Sequence, residues 1–229
     1  MDLPPDLEPA RIVRRLARFT VEVELRGELV PVHLANSGRV EELLAPGSAA
    51  LIVPVGGPSR LTHYDLVLVH AADAWVSADS RLPNLLVQEA LSRQRISALA
   101  SYSEVRREVR AGDCRIDFRL KGPAGDRPLE VKSSTLVEAG VALFPDAPSA
   151  RAVRQLSVLT EARQRGEAGS VLFVVQRADA EALGPNDELD PAFGAALRAA
   201  AAADVTLLAY RCRVTPCAIE LADSIPVLV

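Results

Sequence analysis

The sequence predicts a mixed protein, α/β in its second part and α+β overall. A small β-barrel or sandwich is expected over residues 1–80 and an α/β domain with a central sheet over residues 81–229. Three observations carry this division. Short apolar segments separated by turn residues follow one another through residue 78, the spacing of a small all-β unit. Helical spacing begins at Pro83. Residues 170–176 hold an unbroken apolar run, Val171 to Val175, between two helical patterns, as in a strand covered on both faces.

In the first part the segments are residues 19–25, 30–34, 49–55, 66–70 and 74–77, punctuated by Arg26-Gly27, Asn36-Ser37-Gly38, Pro46-Gly47 and Gly56-Gly57-Pro58. Val21, Val23 and Leu25 alternate with Glu22, Glu24 and Arg26, the period of a half-buried strand. In the second part Leu85, Leu86, Glu89, Ala90 and Leu91 fit a helix, with Asn84 or Ser80 as candidate caps. Strands follow at 105–110, 114–120 and 128–133. A helix at 150–165 stops at Gly166. The strand at 170–176, an alanine-rich helix at 193–203 and strands at 206–210 and 225–229 complete the pattern of helices interleaved with a sheet.

Composition narrows the function classes. The 229 residues are 49% hydrophobic and 24% charged, ordinary for a folded domain. No apolar run is long enough to cross a bilayer. The start, MDLPPDLEPA, lacks the basic and apolar regions of a secretory signal. Three cysteines, none in a CxxC pair, suit a reducing, cytoplasmic setting. The formal charge of −4 gives no global basic field, so any contact with nucleic acid needs a local patch. One such patch is the stripe at residues 11–26, five Arg against two Glu. It includes Arg14, Arg15 and Arg18, on or beside the first strand. Aromatics at 4% argue against extensive base stacking. His33, His63 and His70 have no metal-ligand spacing and read as structural, and Cys212 and Cys217 read as packing residues.

The chemistry concentrates in residues 104–121, EVRREVRAGDCRIDFRLK. A two-residue turn at Gly112-Asp113 places Val109 opposite Ile116 and Val105 opposite Leu120. On the other face it stacks Arg106 with Arg119, Arg110 with Arg115 and Glu108 with Asp117. Opposed carboxylates repel, and a divalent cation relieves that, since Mg²⁺ takes one or two carboxylates together with waters and phosphate oxygens. The next strand carries Glu130 and Lys132 two residues apart, on one face. Lys132 is one of only two lysines in an arginine-rich chain. Its compact ammonium suits a water or phosphate oxygen better than a guanidinium does.

Arg115-Ile116-Asp117-Phe118, Leu129-Glu130-Val131-Lys132-Ser133 and Phe144-Pro145-Asp146-Ala147 resemble the sugar fermentation stimulation protein A (SfsA) family. Arg15-x-x-Arg18-Phe19, Asn36-Ser37-Gly38-Arg39, Pro83-Asn84 and the ending Ile225-Pro226-Val227 fit the same pattern in order. The resemblance implies an OB-fold-like barrel followed by a PD-(D/E)XK nuclease-like domain with a central mixed sheet. It also implies Mg²⁺ or Mn²⁺ as cofactor, with Asp117 and Glu130 as metal ligands, Lys132 completing the catalytic set, and Glu108 as the upstream acid. The chain departs from the family where the helix after Phe-Pro-Asp-Ala usually carries Lys-His, for here Arg154-Gln155 stands. Gln155 reads as a helix-surface residue, with contact to phosphate as the alternative.

Two functions follow as expectations. One is a DNA-binding protein with a Mg²⁺-dependent phosphodiesterase site, linked by its family to sugar metabolism. The other is a regulatory DNA-binding protein that keeps the fold without cleaving.

Overall fold

The computed structural model describes residues 1–229 apart from 58–59, 112–113 and 124, and apart from the side chain at 111. The expected turn at Gly112-Asp113 lies outside the described residues. In chain order the elements of the first part are β1 (Glu8–Ala17), β2 (Thr20–Leu25), β3 (Glu28–His33), β4 (Ala49–Pro54), β5 (Tyr64–Ala71) and β6 (Ala74–Ser77). Those of the second are α1 (Leu82–Ser92), β7 (Glu104–Ala111), β8 (Cys114–Gly122), β9 (Gly125–Ser134), β10 (Val137–Glu138), β11 (Val141–Phe144), α2 (Ala150–Gln164), β12 (Ser170–Val175), β13 (Ala182–Pro185), α3 (Pro191–Ala202), β14 (Thr206–Val214) and β15 (Ile219–Ile225).

The first part is a closed five-strand barrel of OB-like form. Its strands run β3-β2-β1-β4-β5, and a parallel pairing of His33 with Asp65 joins β3 back to β5. Closure removes the open sheet edges that otherwise invite further pairing. The alternation along β2 works as the sequence indicates: Val21, Val23 and Leu25 are buried, with Ile12, Val32, Leu34, Ile52 and Leu66 around them. β1 is a strand that the apolar pattern does not announce, because Arg11, Arg14 and Arg15 interrupt it.

The second part is built on a six-stranded mixed sheet, β15-β14-β12-β9-β8-β7. β9, β12 and β14 are parallel, and antiparallel pairs flank them. Every residue of β12 is buried. Leu172 and Val174 pack with α1 and the outer wall of the barrel, through Leu86, Val87, Val67 and Leu68. Val171, Phe173 and Val175 pack under α2 and α3, through Leu156, Leu159, Phe193 and Leu197. One sheet therefore joins two cores, with the barrel docked on one face and two helices on the other.

Besides β1, the structure differs from the sequence expectation at three places. Arg81, not Asn84 or Ser80, is the residue before α1; the Asp79 carboxylate accepts its N–H at 2.8 Å, and Ser80 Oγ donates to Ala35 O. A further sheet, β10-β11-β13, was not expected; its strands are two to four residues long, too short for a period to show. Residues 226–229 lie beyond the strand expected there: β15 ends at Ile225, Pro226 has no N–H to continue a ladder, and Val227 makes only an isolated bridge to Leu183. Among the described residues no helix is long and apolar enough to cross a membrane.

Candidate active site

β7 and β8 pair in the expected register, with Val105 against Leu120, Arg106 against Arg119, Val109 against Ile116 and Arg110 against Arg115. β8 then pairs with β9 only from Phe118–Leu129 outward to Gly122–Gly125. Beyond that point β9 continues along β12, with Glu130 opposite Val171 and Lys132 opposite Phe173, and β8 diverges. The sheet forks there, and the candidate residues sit at the fork.

Asp117 spans it. One of its oxygens accepts the Val131 backbone N–H at 2.8 Å, replacing the ladder bond that β8 would have made. The other accepts from Asn84 Nδ2 at 3.1 Å, across from α1. A carboxylate oxygen has two lone-pair directions, so both retain an acceptor site.

Glu130 lies deeper, only 2% exposed. Its Oε1 accepts from Lys132 Nζ at 2.7 Å. Its Oε2 is buried and has no hydrogen-bond partner among the described residues. Burial is the main cause that raises the carboxyl to about 7; the Asp117 charge adds to the rise and the Lys132 ammonium opposes it. A buried carboxylate oxygen without a donor is costly, and either a proton or a cation would relieve it.

Lys132 Nζ makes a second bond, to Gln155 Oε1 at 2.6 Å. Gln155 is buried in the first half of α2 and donates through Nε2 to the Arg115 carbonyl at 3.3 Å. This corrects the reading of Gln155 as a helix-surface residue. Lys132 has three donors, two of them used here, and it lines a cleft beside the fork. Asn84 and Gln155 are thus site residues that sequence reasoning assigned elsewhere. The signal that could have found Gln155 is a polar residue between Ala152 and Leu156 on the face of α2 that packs on the sheet.

Glu108 stands apart. Its φ of 56° breaks the β7–β8 ladder at the place where it would have met Asp117. Its side chain is exposed and pairs with Arg115 at 2.5 Å. Among the described residues no cluster of three or more His, Cys, Asp and Glu gathers as a metal site. The cation donors brought together are those of Asp117 and Glu130. Two carboxylates are the kind of donor set that Mg²⁺ or Mn²⁺ takes together with waters.

The barrel arginines are disposed differently. Arg14 pairs with Glu22 at 2.8 Å. Arg15 donates to the carbonyls of Ala17, Arg18, Gly38 and Arg39, tying β1 to the loop after β3. Arg18 lies over the Phe19 ring, 5.3 Å from its centroid, and lines the same cleft as Lys132. Two outlying expectations resolve plainly. His33 Nδ1 sits 3.1 Å from Phe19 O and His70 packs edge-on to Trp75. Cys212 is buried and its thiol is pushed up to about 12 by that burial, whereas Cys217 is exposed and is not a packing residue.

Comparison with known proteins bears on the whole chain. Residues 81–218 match the family model described as "Sugar fermentation stimulation protein RE domain" and residues 13–78 match "SfsA N-terminal OB domain". The sugar fermentation stimulation protein homolog of Desulforamulus reducens is 44% identical, over 97% of this chain and 93% of that protein. The homolog of Geobacter metallireducens is 42% identical over the full length of both. The structure of Pyrococcus furiosus SfsA in complex with Ca²⁺ superposes with a TM-score of 0.91, covering 100% of this chain and 98% of that one at 24% identity; at that identity it is the fold that is shared. Both parts of the chain, in order, match one family's models, and full-length relatives above 40% identity carry the same name. The chain therefore belongs to the sugar fermentation stimulation protein family.

Proposed function

We propose that this protein binds DNA and hydrolyses phosphodiester bonds at a divalent-metal site formed by Asp117, Glu130 and Lys132, on a domain of the PD-(D/E)XK nuclease type. The observation that carries the reading is Glu130 Oε2, a buried acceptor with no donor among the described residues, beside a second carboxylate and a lysine. Asp117 and Glu130 would hold Mg²⁺ or Mn²⁺, which supplies charge to polarise a phosphoryl oxygen and to acidify an attacking water. The chain's own residues position that chemistry. Val131 N–H and Asn84 fix the Asp117 carboxylate. Glu130 Oε1 and Gln155 Oε1 hold the ammonium of Lys132, whose remaining donor can orient the water or meet charge developing on the phosphate. The Pyrococcus furiosus relative was solved with Ca²⁺, a hard dication that takes the same oxygen donors.

One observation favours a second reading. Glu108 is turned out of the site and Gln155 stands where the family usually has His, so a binding protein that keeps the fold without cleaving uses the same residues structurally. In either case the family name links the protein to sugar metabolism. Incubating labelled DNA and RNA, single-stranded and duplex, with Mg²⁺, Mn²⁺ or EDTA separates the two. Metal-dependent cleavage that is absent in EDTA supports the enzyme. Binding without cleavage in every arm supports the second reading.

A further inference from the structure

The fork opens onto a cleft between the two parts of the chain. Residues 131–135 form its floor, along the stretch of β9 that β8 no longer covers. The loop at 36–38, after β3, makes one wall, and residues 144–149, between β11 and α2, make the other. Arg18 and Lys132 both line it. Its volume is about 310 Å³, at the small end of ligand pockets and on the scale of one nucleotide, not of a stacked duplex.

The walls are fastened together. Asp146 Oδ2 accepts the Val40 N–H at 3.1 Å, across the two parts of the chain. Val40 is held at a φ of 42°, costly for a β-branched residue and maintained only where surroundings fix it. Gly38 packs so closely on the Asp146 carboxylate that even a Cβ would overlap it. Thr135 Oγ1 donates to Glu42 at 2.7 Å, and Arg15 holds the carbonyls of Gly38 and Arg39. Widening the cleft to take a duplex would break this set at once.

The lining also sets the manner of binding. Phe144, its one aromatic ring, is engaged edge-on with Phe173 and Phe193 and offers no stacking platform. The polar lining is made of the cations Arg18 and Lys132, hydroxyls such as Ser37, and one carboxylate, Asp146, which is already engaged by the Val40 N–H. Such a groove follows a sugar–phosphate backbone and is indifferent to base identity.

We propose that this cleft is a subsite for one nucleotide of a single DNA strand, adjoining the scissile phosphate at Lys132, with Arg18 taking the nucleotide's own phosphate, so that the protein prefers single-stranded or frayed DNA over intact duplex. The proposal rests on the nucleic-acid reading given above.

Fluorescence anisotropy in EDTA, where metal-dependent cleavage is off, tests it with a labelled oligonucleotide presented as a single strand and as its blunt duplex. The single strand should bind at least tenfold more tightly. Ser37→Trp, which fills the cleft from an exposed loop position, should weaken single-strand binding at least tenfold and change duplex binding little. Arg18→Ala, an exposed side chain whose loss spares the fold, should weaken single-strand binding and lower its salt dependence. Thermal melting of both variants establishes that they fold. Equal or tighter binding of duplex, or variants that bind single strands as the wild type does, would overturn the subsite and leave the nuclease reading standing. Binding of neither form would overturn both.

Discussion

Arg14, Arg15 and Arg18 on the barrel and Asp117, Glu130 and Lys132 at the fork are both clusters of three charged residues, and the chain neutralises them by different means. On the barrel the partners of Arg14 and Arg15 are complete and local. Arg14 has Glu22, and Arg15 is surrounded by four backbone carbonyls. Only Arg18 reaches the cleft. At the fork the charges are taken out of water, and one oxygen has no donor among the described residues. Exposed pairs of the first kind contribute little, about 0–1 kcal/mol. A buried acceptor of the second kind costs several times that unless something fills it. A charge cluster therefore points to function when its partners are incomplete, not when it is merely dense.

The sharpest way to break this comparison is Glu130→Gln. It preserves shape and removes the charge a cation needs. Metal-dependent cleavage should fall on the order of 10³-fold, as expected when several kcal/mol of charge stabilisation is lost. Steady-state rates on labelled DNA with Mn²⁺ check it; an unchanged rate would remove Glu130 from the chemistry. Lys132→Arg is next. The guanidinium cannot occupy the point between Glu130 and Gln155, and a displacement of ~1 Å costs on the order of 10²-fold, so at least a tenfold loss in rate is expected with DNA binding retained. Lys121→Arg, beside Asp126 at 4.0 Å on the exposed sheet, is the control and should be silent. Equal rates for the two lysine variants would contradict the role given to Lys132.

Titration gives the third test. The Glu130 carboxyl is raised to about 7 from an ordinary 4.5, so the metal-free fold favours its neutral form. The stability this contributes is complete below pH 4.5 and is lost as the pH rises through about 7. The melting temperature of the wild type in EDTA should therefore fall across that window relative to Glu130→Gln, where the difference has no group to titrate. Parallel curves would mean that Glu130 is ionised and satisfied without metal.

The smallest effects are expected on the barrel. Arg15→Ala, which releases four carbonyl contacts, should cost about 1 kcal/mol of stability in a denaturant titration. Arg14→Ala should cost less than that. Arg18→Ala should leave stability unchanged and reduce the log–log salt slope of DNA binding by about 0.7–0.9, one phosphate contact. If Arg14→Ala changes the slope as much as Arg18→Ala does, the basic stripe acts as a whole and the contrast drawn here between its members fails.

The parts of this arrangement that could be read from the sequence are those governed by periodicity. Alternation identified β2, the continuous apolar run identified β12, and matching apolar pairs set the β7–β8 register. Glu130 and Lys132 share a site because residues two apart in a strand share a face. What escaped depends on tertiary contact. The left-handed turn of Glu108 carries it to Arg115 instead of Asp117, and nothing in its local pattern signals that. Asn84 and Gln155 meet the site from helices whose docking is decided by the whole core. β10, β11 and β13 are too short to show a period, and β1 hides behind its arginines.

If Asp117 and Glu130 form an incomplete site, a divalent cation completes it. Calorimetric titration of Mn²⁺ into the wild type and into an Asp117→Ala/Glu130→Ala double variant tests it most directly, at ~pH 6 in two buffers of different ionisation heat. A single site is expected in the wild type, with proton release on binding because Glu130 must ionise to bind, and that site should be lost in the double variant. Equal binding by the two proteins would contradict it.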